Sequence, residues 1–202
     1  MNEWTKAQQH EKDYFTSGKN KQWKTPHSLK YWLNFLNINN PTGKGLEIGC
    51  GPNGLYNYTD TVIGVDSINY HNPNFVQATA EHLPFQLKTF DFVILCNSLD
   101  HCQNPQKVIE EVTQISNKLI VWSNTFPTII SQLISTFDKT HPHHFTIKEL
   151  KELFKSFVLT TQTQKSIYSW HGKNATFKGK LKLFLASLLG VKGVCLHLEA
   201  KQ

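Results

Sequence analysis

Three groups of residues in this chain have the types and spacing to do chemistry. The first lies in Lys44–Asp66, K-G-L-E-I-G-C-G-P-N-G-L-Y-N-Y-T-D-T-V-I-G-V-D, where Glu47 stands two residues before Gly49, followed by Cys50, Gly51 and Gly54. Glycines at that spacing let a turn adopt positive φ and let a ligand lie against bare backbone. The second is the acid Asp66, which ends the apolar run Val62, Ile63, Val65. The third is a set of histidines: His101, after the apolar run Phe92–Leu95, and His141, His143 and His144 further on. An imidazole of unperturbed pKa about 6.5 suits proton removal near neutrality.

The spacing Gly49-x-Gly51-x-x-Gly54 also satisfies the dinucleotide fingerprint. Glu47 argues against that ligand, because a carboxylate at the strand's tip is misplaced beside a pyrophosphate. Asp66 follows Gly54 by only twelve residues, nearer than the roughly 20 of a nicotinamide site. A carboxylate beside bare glycine backbone suits instead a cationic ligand, one bearing an ammonium and a sulfonium. Asp66 can take a ribose diol by a bidentate hydrogen bond.

These groups need elements to hold them. Leu46 and Ile48 read as a strand entering the glycine turn, and Val62–Val65 as the next strand, with turn and acid at one carboxyl edge of a parallel sheet. About two helical turns fit between Leu55 and Thr61. Phe75-Val76 is a short third strand. Phe92–Leu95, apolar throughout, is a central strand buried on both faces. It puts Asn97 over the carboxyl edge, with Leu99-Asp100-His101 in the loop facing any ligand. Pro105 opens a helix with Val108, Ile109 and Val112 on one face, and Leu119–Trp122 is a fifth strand. Upstream, residues 4 to 36 read as two helical pieces separated at Ser17-Gly18, the second beginning at Pro26. Downstream come a helix over Thr125–Phe137, a helix over Ile147–Phe157 capped by Thr146, a sixth strand at Phe157–Thr161 and a last strand at Val194–Ala200.

The residues E-I-G-C-G with the following Asp66 resemble the E-x-G-x-G motif and acid of the class I S-adenosylmethionine (SAM) methyltransferases. The segment A-T-A-E-H-L-P-F, Ala78 to Phe85, resembles that family's adenine-side loop, with Thr79 where an acid is usual. Leu99-Asp100-His101 matches its L-x-H. The resemblance implies an α/β, Rossmann-like, doubly wound and mostly parallel seven-stranded sheet with an antiparallel last strand over residues 1–202. Residues 1–40 would form a helical cap, 44–122 the cofactor-binding core and 123–202 the substrate side. It implies SAM as cofactor. Glu47 and the Gly49-Cys50-Gly51 backbone would hold its methionine end, Asp66 with Ser67 the ribose, and Thr79, Ala80 and Glu81 the adenine side. Asn97 would close the reactive side through its backbone. A leading segment in such enzymes lines the pocket, which makes Trp4, Tyr14, Phe15 and Trp23 wall residues or plain packing residues. In place of the family's Gly-Gly before the fifth strand stands Ser116-Asn117, whose asparagine can turn left-handed.

Methyl transfer to oxygen needs a base, and His101 is the first candidate, with His144 and His141 reaching in from the opposite side. His101 also reads as a cofactor-pocket wall. The cluster His141, His143, His144 reads as a pocket-lining loop or a solvated turn. A metal site there lacks a carboxylate or cysteine spaced to complete it, and no metal is assigned.

The chain's 202 residues fit one domain with a substantial core. With 39% hydrophobic and 18% charged residues it is not disordered. A net charge of +6 allows an anionic partner, but the lysines are scattered, as on a solvated basic surface. Four cysteines without C-x-x-C spacing read as buried thiols in a reducing compartment, and the N-terminus lacks an apolar signal core; cytoplasmic location is the expectation. Leu181, Phe184, Leu185, Leu188 and Leu189 share one stripe, read as core packing or as lipid or membrane contact through 178–190. The resulting expectation is a methyltransferase acting on a small molecule (sugar, quinone or lipid intermediate), as a monomer or homodimer. A nucleic-acid methyltransferase and a non-catalytic SAM-binding protein are the rival readings. The nucleic-acid one is disfavoured because no N/D-P-P-Y/F sequence follows the central strand.

Overall fold

The computed structural model describes residues 3–16, 28–38, 42–137, 141–166 and 177–201. The elements are α1 (Glu3–Thr16), α2 (Leu29–Phe35), β1 (Gly45–Ile48), β2 (Val62–Asp66), β3 (Phe75–Gln77), β4 (Phe92–Cys96), α3 (Pro105–Ile115), β5 (Lys118–Thr125), α4 (Thr128–Phe137), α5 (Ile147–Leu153), β6 (Phe157–Ser166), α6 (Phe177–Leu188) and β7 (Lys192–Ala200). The strands form one seven-stranded sheet in the order β3-β2-β1-β4-β5-β7-β6. Strands β1 to β5 are parallel, and β7 runs antiparallel between β5 and β6. The chain order reverses between β1 and β4, the switch point at which open α/β sheets hold ligands.

Period-two alternation sends side chains to two cores. Leu46, Ile48, Val93, Leu95, Leu119 and Val121 pack with Val108, Ile109 and Val112 of α3. Ile94, Ile120 and Trp122 face the other way, onto Trp32 and Leu36 of the α2 segment and onto Leu55 and Tyr56. The Phe35 ring lies tilted against that of Trp122, centroids 4.9 Å apart, and the Leu36 carbonyl accepts from His197 Nε2 at 2.8 Å. Ser28 caps α2, Asn104 caps α3 with Pro105 in its first turn, and Thr146 with Glu149 forms a capping box on α5.

Several boundaries differ from the sequence reading. Only a single 3-10 turn, Leu55–Asn57, fits where two helical turns were expected. Strand β5 runs on to Thr125 by pairing with β7 through Lys192, so α4 begins later, at Thr128. Helix α5 stops at Leu153, and β6 extends to Ser166. Asn117 is not left-handed: the turn passes through an extended Ser116 (φ −150), whose Oγ accepts from Lys118 N at 3.1 Å. Of the stripe on α6, Leu181, Phe184, Leu185 and Leu188 stand about half exposed or more (49–68%), so it does not pack in the core. Pro26 and Trp23 lie outside the described residues, as do the side chains of Tyr14 and Phe15.

Candidate functional site

The glycine turn, the end of β2 and the end of β4 meet at the sheet's carboxyl edge. Gly49 leaves β1 at φ +65 and donates from N to the Val65 carbonyl at 2.8 Å. A β-carbon on Gly49 would lie 2.3 Å from the Ser98 Cβ, so only glycine admits the loop after β4 at this distance. Across that contact Asn97 is itself left-handed at φ 53, a conformation asparagine tolerates better than most residues, and its N donates to the Trp122 carbonyl at 2.8 Å.

Asp66 ties the edge together. One carboxylate oxygen accepts from Gly51 N at 3.0 Å and the other from Ile68 N at 3.0 Å. Each oxygen keeps a second lone pair for a ligand hydroxyl. Burial pushes the Asp66 carboxyl up from the ordinary aspartate range, while the amides of Ile68 and Gly51 pull the other way.

Two expectations about the turn are corrected. Glu47 is only 1% exposed and does not line the cleft. It alternates with Leu46 and Ile48, so the pleat sends it to the opposite face, under the 3-10 turn, where it accepts from Tyr56 N at 3.2 Å. Burial pushes its pKa up to about 8, against the pull of the Tyr56 and Leu55 amides. Its geometry is that of a brace for the loop, not of a counter-ion at the cleft mouth. Cys50 likewise turns inward, its Sγ 2.9 Å from where a β-carbon on Gly64 would stand, and burial pushes its thiol far up. Gly51 meets the site through its amide on Asp66 rather than as a wall.

The other cofactor-side residues do line one cleft. Gly49, Asp66, Ser67 and Asn97 form its floor and near wall. Thr79, Ala80 and Glu81 form the far wall, which the Glu81 carboxylate fastens by accepting from Gln103 N at 2.8 Å and Asn104 N at 3.2 Å. Ile48, Val65, Ile68 and Ala78 supply apolar surface. Trp4 and Gln8 close the cleft from α1 by donating to the His101 carbonyl at 3.2 and 3.3 Å.

His101 lies on the cleft in the 3-10 turn Leu99–His101. The His141 ring sits 4.5 Å from it. His144 is not among the residues lining the cleft: it is buried against Phe126, ring centroids 5.4 Å apart. His143 staples the two histidine loops, donating from N to the Asp100 carbonyl at 3.3 Å and pairing its Nε2 with the Cys102 carbonyl at 3.0 Å. The sequence reading missed Gln8, Tyr70 and Ser98 as lining residues; only Ser98, next to Asn97, carried a positional signal.

The cleft therefore offers bare backbone at Gly49, an acid with lone pairs to spare and apolar walls. It also offers a buried Asn97 Oδ1 with no protein partner, an acceptor that calls for a donor on the ligand. That set fits an amino-acid-bearing nucleoside better than a diphosphate, which would meet the Asp66 carboxylate with no lysine among the described residues lining the cleft.

A sheet of this order, with a cleft at its switch point, defines a Rossmann-like α/β protein. Residues 46–118 match the family model described as methyltransferase domain. The fold is similar to that of a SAM-dependent methyltransferase of Thermotoga maritima, described as a possible histamine N-methyltransferase (TM-score 0.63, 15% identity, 98% of each chain covered). It is also similar to geranyl diphosphate C-methyltransferase of Streptomyces coelicolor, solved with S-adenosyl-L-homocysteine (TM-score 0.65, 11% identity, 86% of this chain and 77% of that one). An uncharacterised protein of Methanocaldococcus jannaschii is 33% identical over 82 residues, 37% of this chain; the match spans 40% of that curated relative's length. Residues 46–118 thus carry the pattern of a methyltransferase domain, on a fold similar to that of these two methyltransferases.

Proposed function

We propose that this protein transfers a methyl group to a hydroxyl of a small-molecule acceptor. SAM, when bound, supplies a methyl group already activated on a sulfonium. Asp66 and Ser67 would hold the ribose, Thr79, Ala80 and Glu81 the adenine side, and Gly49 with Asn97 the methionine end. Glu47 would act one step removed, as the brace that sets the turn. Alignment in a closed cleft is worth up to roughly 7–11 kcal/mol for such a reaction. His101, on the acceptor side beside His141, would take the hydroxyl proton.

The observation that carries this reading is the meeting of Asp66, Gly49 and His101 in one cleft at the switch point. A compact acceptor is supported over nucleic acid by the cations themselves. All 21 of them are lysine, so the chain has no arginine fork for bidentate phosphate contacts. The test is transfer of a labelled methyl group from SAM to a panel of hydroxylated sugars, quinols and lipids, with RNA alongside. Label on a small hydroxyl compound supports the reading, and label on RNA alone overturns it.

The exposed face of α6 favours one elaboration, peripheral contact with a lipid surface through residues 178–190. Among the described residues no helix is long and apolar enough to cross a membrane. Leu181, Leu185 and Leu188 instead suit insertion to the headgroup boundary, with Lys180 beside them. Co-sedimentation with anionic vesicles that is lost in Leu185→Glu would support it; equal pelleting of both proteins would not.

A further inference from the structure

The metal reading of the histidine cluster failed in the sequence for want of a carboxylate, and the fold supplies one. Asp100, His101 and His141 bring one donor atom each to within 4.8 Å of one another. Two come from the turn after β4 and one from the loop before α5. The distance between these loops is set by the backbone: His143 donates to the Asp100 carbonyl at 3.3 Å and its ring pairs with the Cys102 carbonyl at 3.0 Å. Bonds of about 2.0 Å in a tetrahedral site need donors roughly 3.3 Å apart, so an ion would draw these three closer together.

A second observation points to a cation independently of that spacing. Asp100 is 8% exposed, and its Oδ1 is buried with no hydrogen-bond partner. A buried carboxylate oxygen left without a partner is costly unless something positive or a donor meets it. Two imidazoles and one carboxylate are the donor set of open zinc and ferrous sites, in which three protein ligands leave a position free.

We propose that Asp100, His101 and His141 bind one divalent transition-metal ion of the zinc or ferrous class at the acceptor end of the cleft. This inference rests on the cleft being a methyl-transfer site and deepens that reading. It assigns the deprotonation served by His101 to an ion that His101 helps to hold. A hydroxyl at the ion's free position would have its pKa lowered, as that of zinc-bound water is lowered to about 7, and would release its proton to solvent. Its oxygen would then bond to the methyl carbon as the carbon–sulfur bond breaks and S-adenosylhomocysteine leaves. The acceptor class narrows accordingly to compounds whose hydroxyl can reach the ion's one free position.

The test titrates metal-free protein, in reducing buffer, with Zn²⁺ by calorimetry and with Co²⁺ by absorption. The wild type is compared with Asp100→Asn and His141→Ala, and each protein is also titrated with S-adenosylhomocysteine. The expected result is one equivalent of metal in the wild type, a visible Co²⁺ band, and affinity at least 10-fold weaker in each variant. Absence of metal binding in the wild type, or equal binding in all three proteins, overturns the metal site. If S-adenosylhomocysteine still binds in that case, the methyltransferase reading survives it. If metal binds as expected and S-adenosylhomocysteine does not, the methyltransferase reading fails while the metal site stands. Retained S-adenosylhomocysteine affinity in a variant that loses metal also shows that the variant is folded.

Discussion

The Asp66 carboxylate accepts the Gly51 amide at 3.0 Å, which ties the end of β2 to the glycine turn fifteen residues earlier. One side chain thus shapes the turn and presents an acid to the cleft. Asp66→Ala should weaken S-adenosylhomocysteine binding by about 1–3 kcal/mol, the range for lost hydrogen bonds to a charged group. Calorimetry at constant ionic strength checks this. Unchanged affinity would remove Asp66 from the ligand site.

Glu47 gives a pH-dependent prediction. Its pKa in the folded protein is about 8, raised by burial from the ordinary glutamate value of 4.5. The folded state therefore holds a proton that the unfolded chain releases, so Glu47 favours folding at low pH and loses that contribution as pH rises from about 4.5 to about 8. The slope is at most about 1.4 kcal/mol per pH unit across that window. Asp66, raised in the same direction, adds to the trend. Glu47→Gln keeps an acceptor for the Tyr56 amide but cannot ionise. Thermal melts should show the wild type losing ground to this variant between pH 5 and pH 8, and parallel curves would contradict the assignment.

The two turn glycines should differ in sensitivity. Both have positive φ, +65 at Gly49 and +58 at Gly51. A β-carbon on Gly49 meets the Ser98 Cβ at 2.3 Å, whereas one on Gly51 meets nothing within 4 Å. Gly51→Ala should cost only the left-handed penalty of about 1–2 kcal/mol. Gly49→Ala should add a clash of about 1–3 kcal/mol. Urea denaturation of both variants measures the difference, and equal losses would mean that the loop after β4 yields freely.

Most of this edge is legible in the residues themselves. The glycine spacing, the acid ending β2 and the unbroken apolar run of β4 each follow from a local physical need, and each stands where expected. Glu47 turns away from the cleft for a reason also present in the sequence. In a strand where Leu46 and Ile48 face one core, the residue between them faces the other side. The trio Asp100, His101, His141 was not legible, because two backbone-anchored contacts of His143 bring its loops together across about 40 residues of chain. The strand ends were misjudged because β5, β6 and β7 lengthen by pairing with one another, a tertiary effect.

Removing the His101 imidazole should separate chemistry from cofactor binding. In His101→Ala, kcat on an active acceptor should fall by about 10²–10⁴, the usual worth of positioned proton removal, whether the imidazole itself or an ion it helps to hold performs it. S-adenosylhomocysteine affinity should change little, since the residue's carbonyl, not its ring, carries the contacts to Trp4 and Gln8. Equal losses in turnover and affinity would make His101 a wall residue only.

The cleft between Gly49, Asp66 and Asn97 should be filled by a SAM-like nucleoside and not by a dinucleotide. Calorimetric titration of the protein with S-adenosylhomocysteine and, separately, with NAD decides it. One equivalent of S-adenosylhomocysteine bound, with no heat of binding from NAD, is the predicted result. Binding of NAD, with none of S-adenosylhomocysteine, would contradict the account.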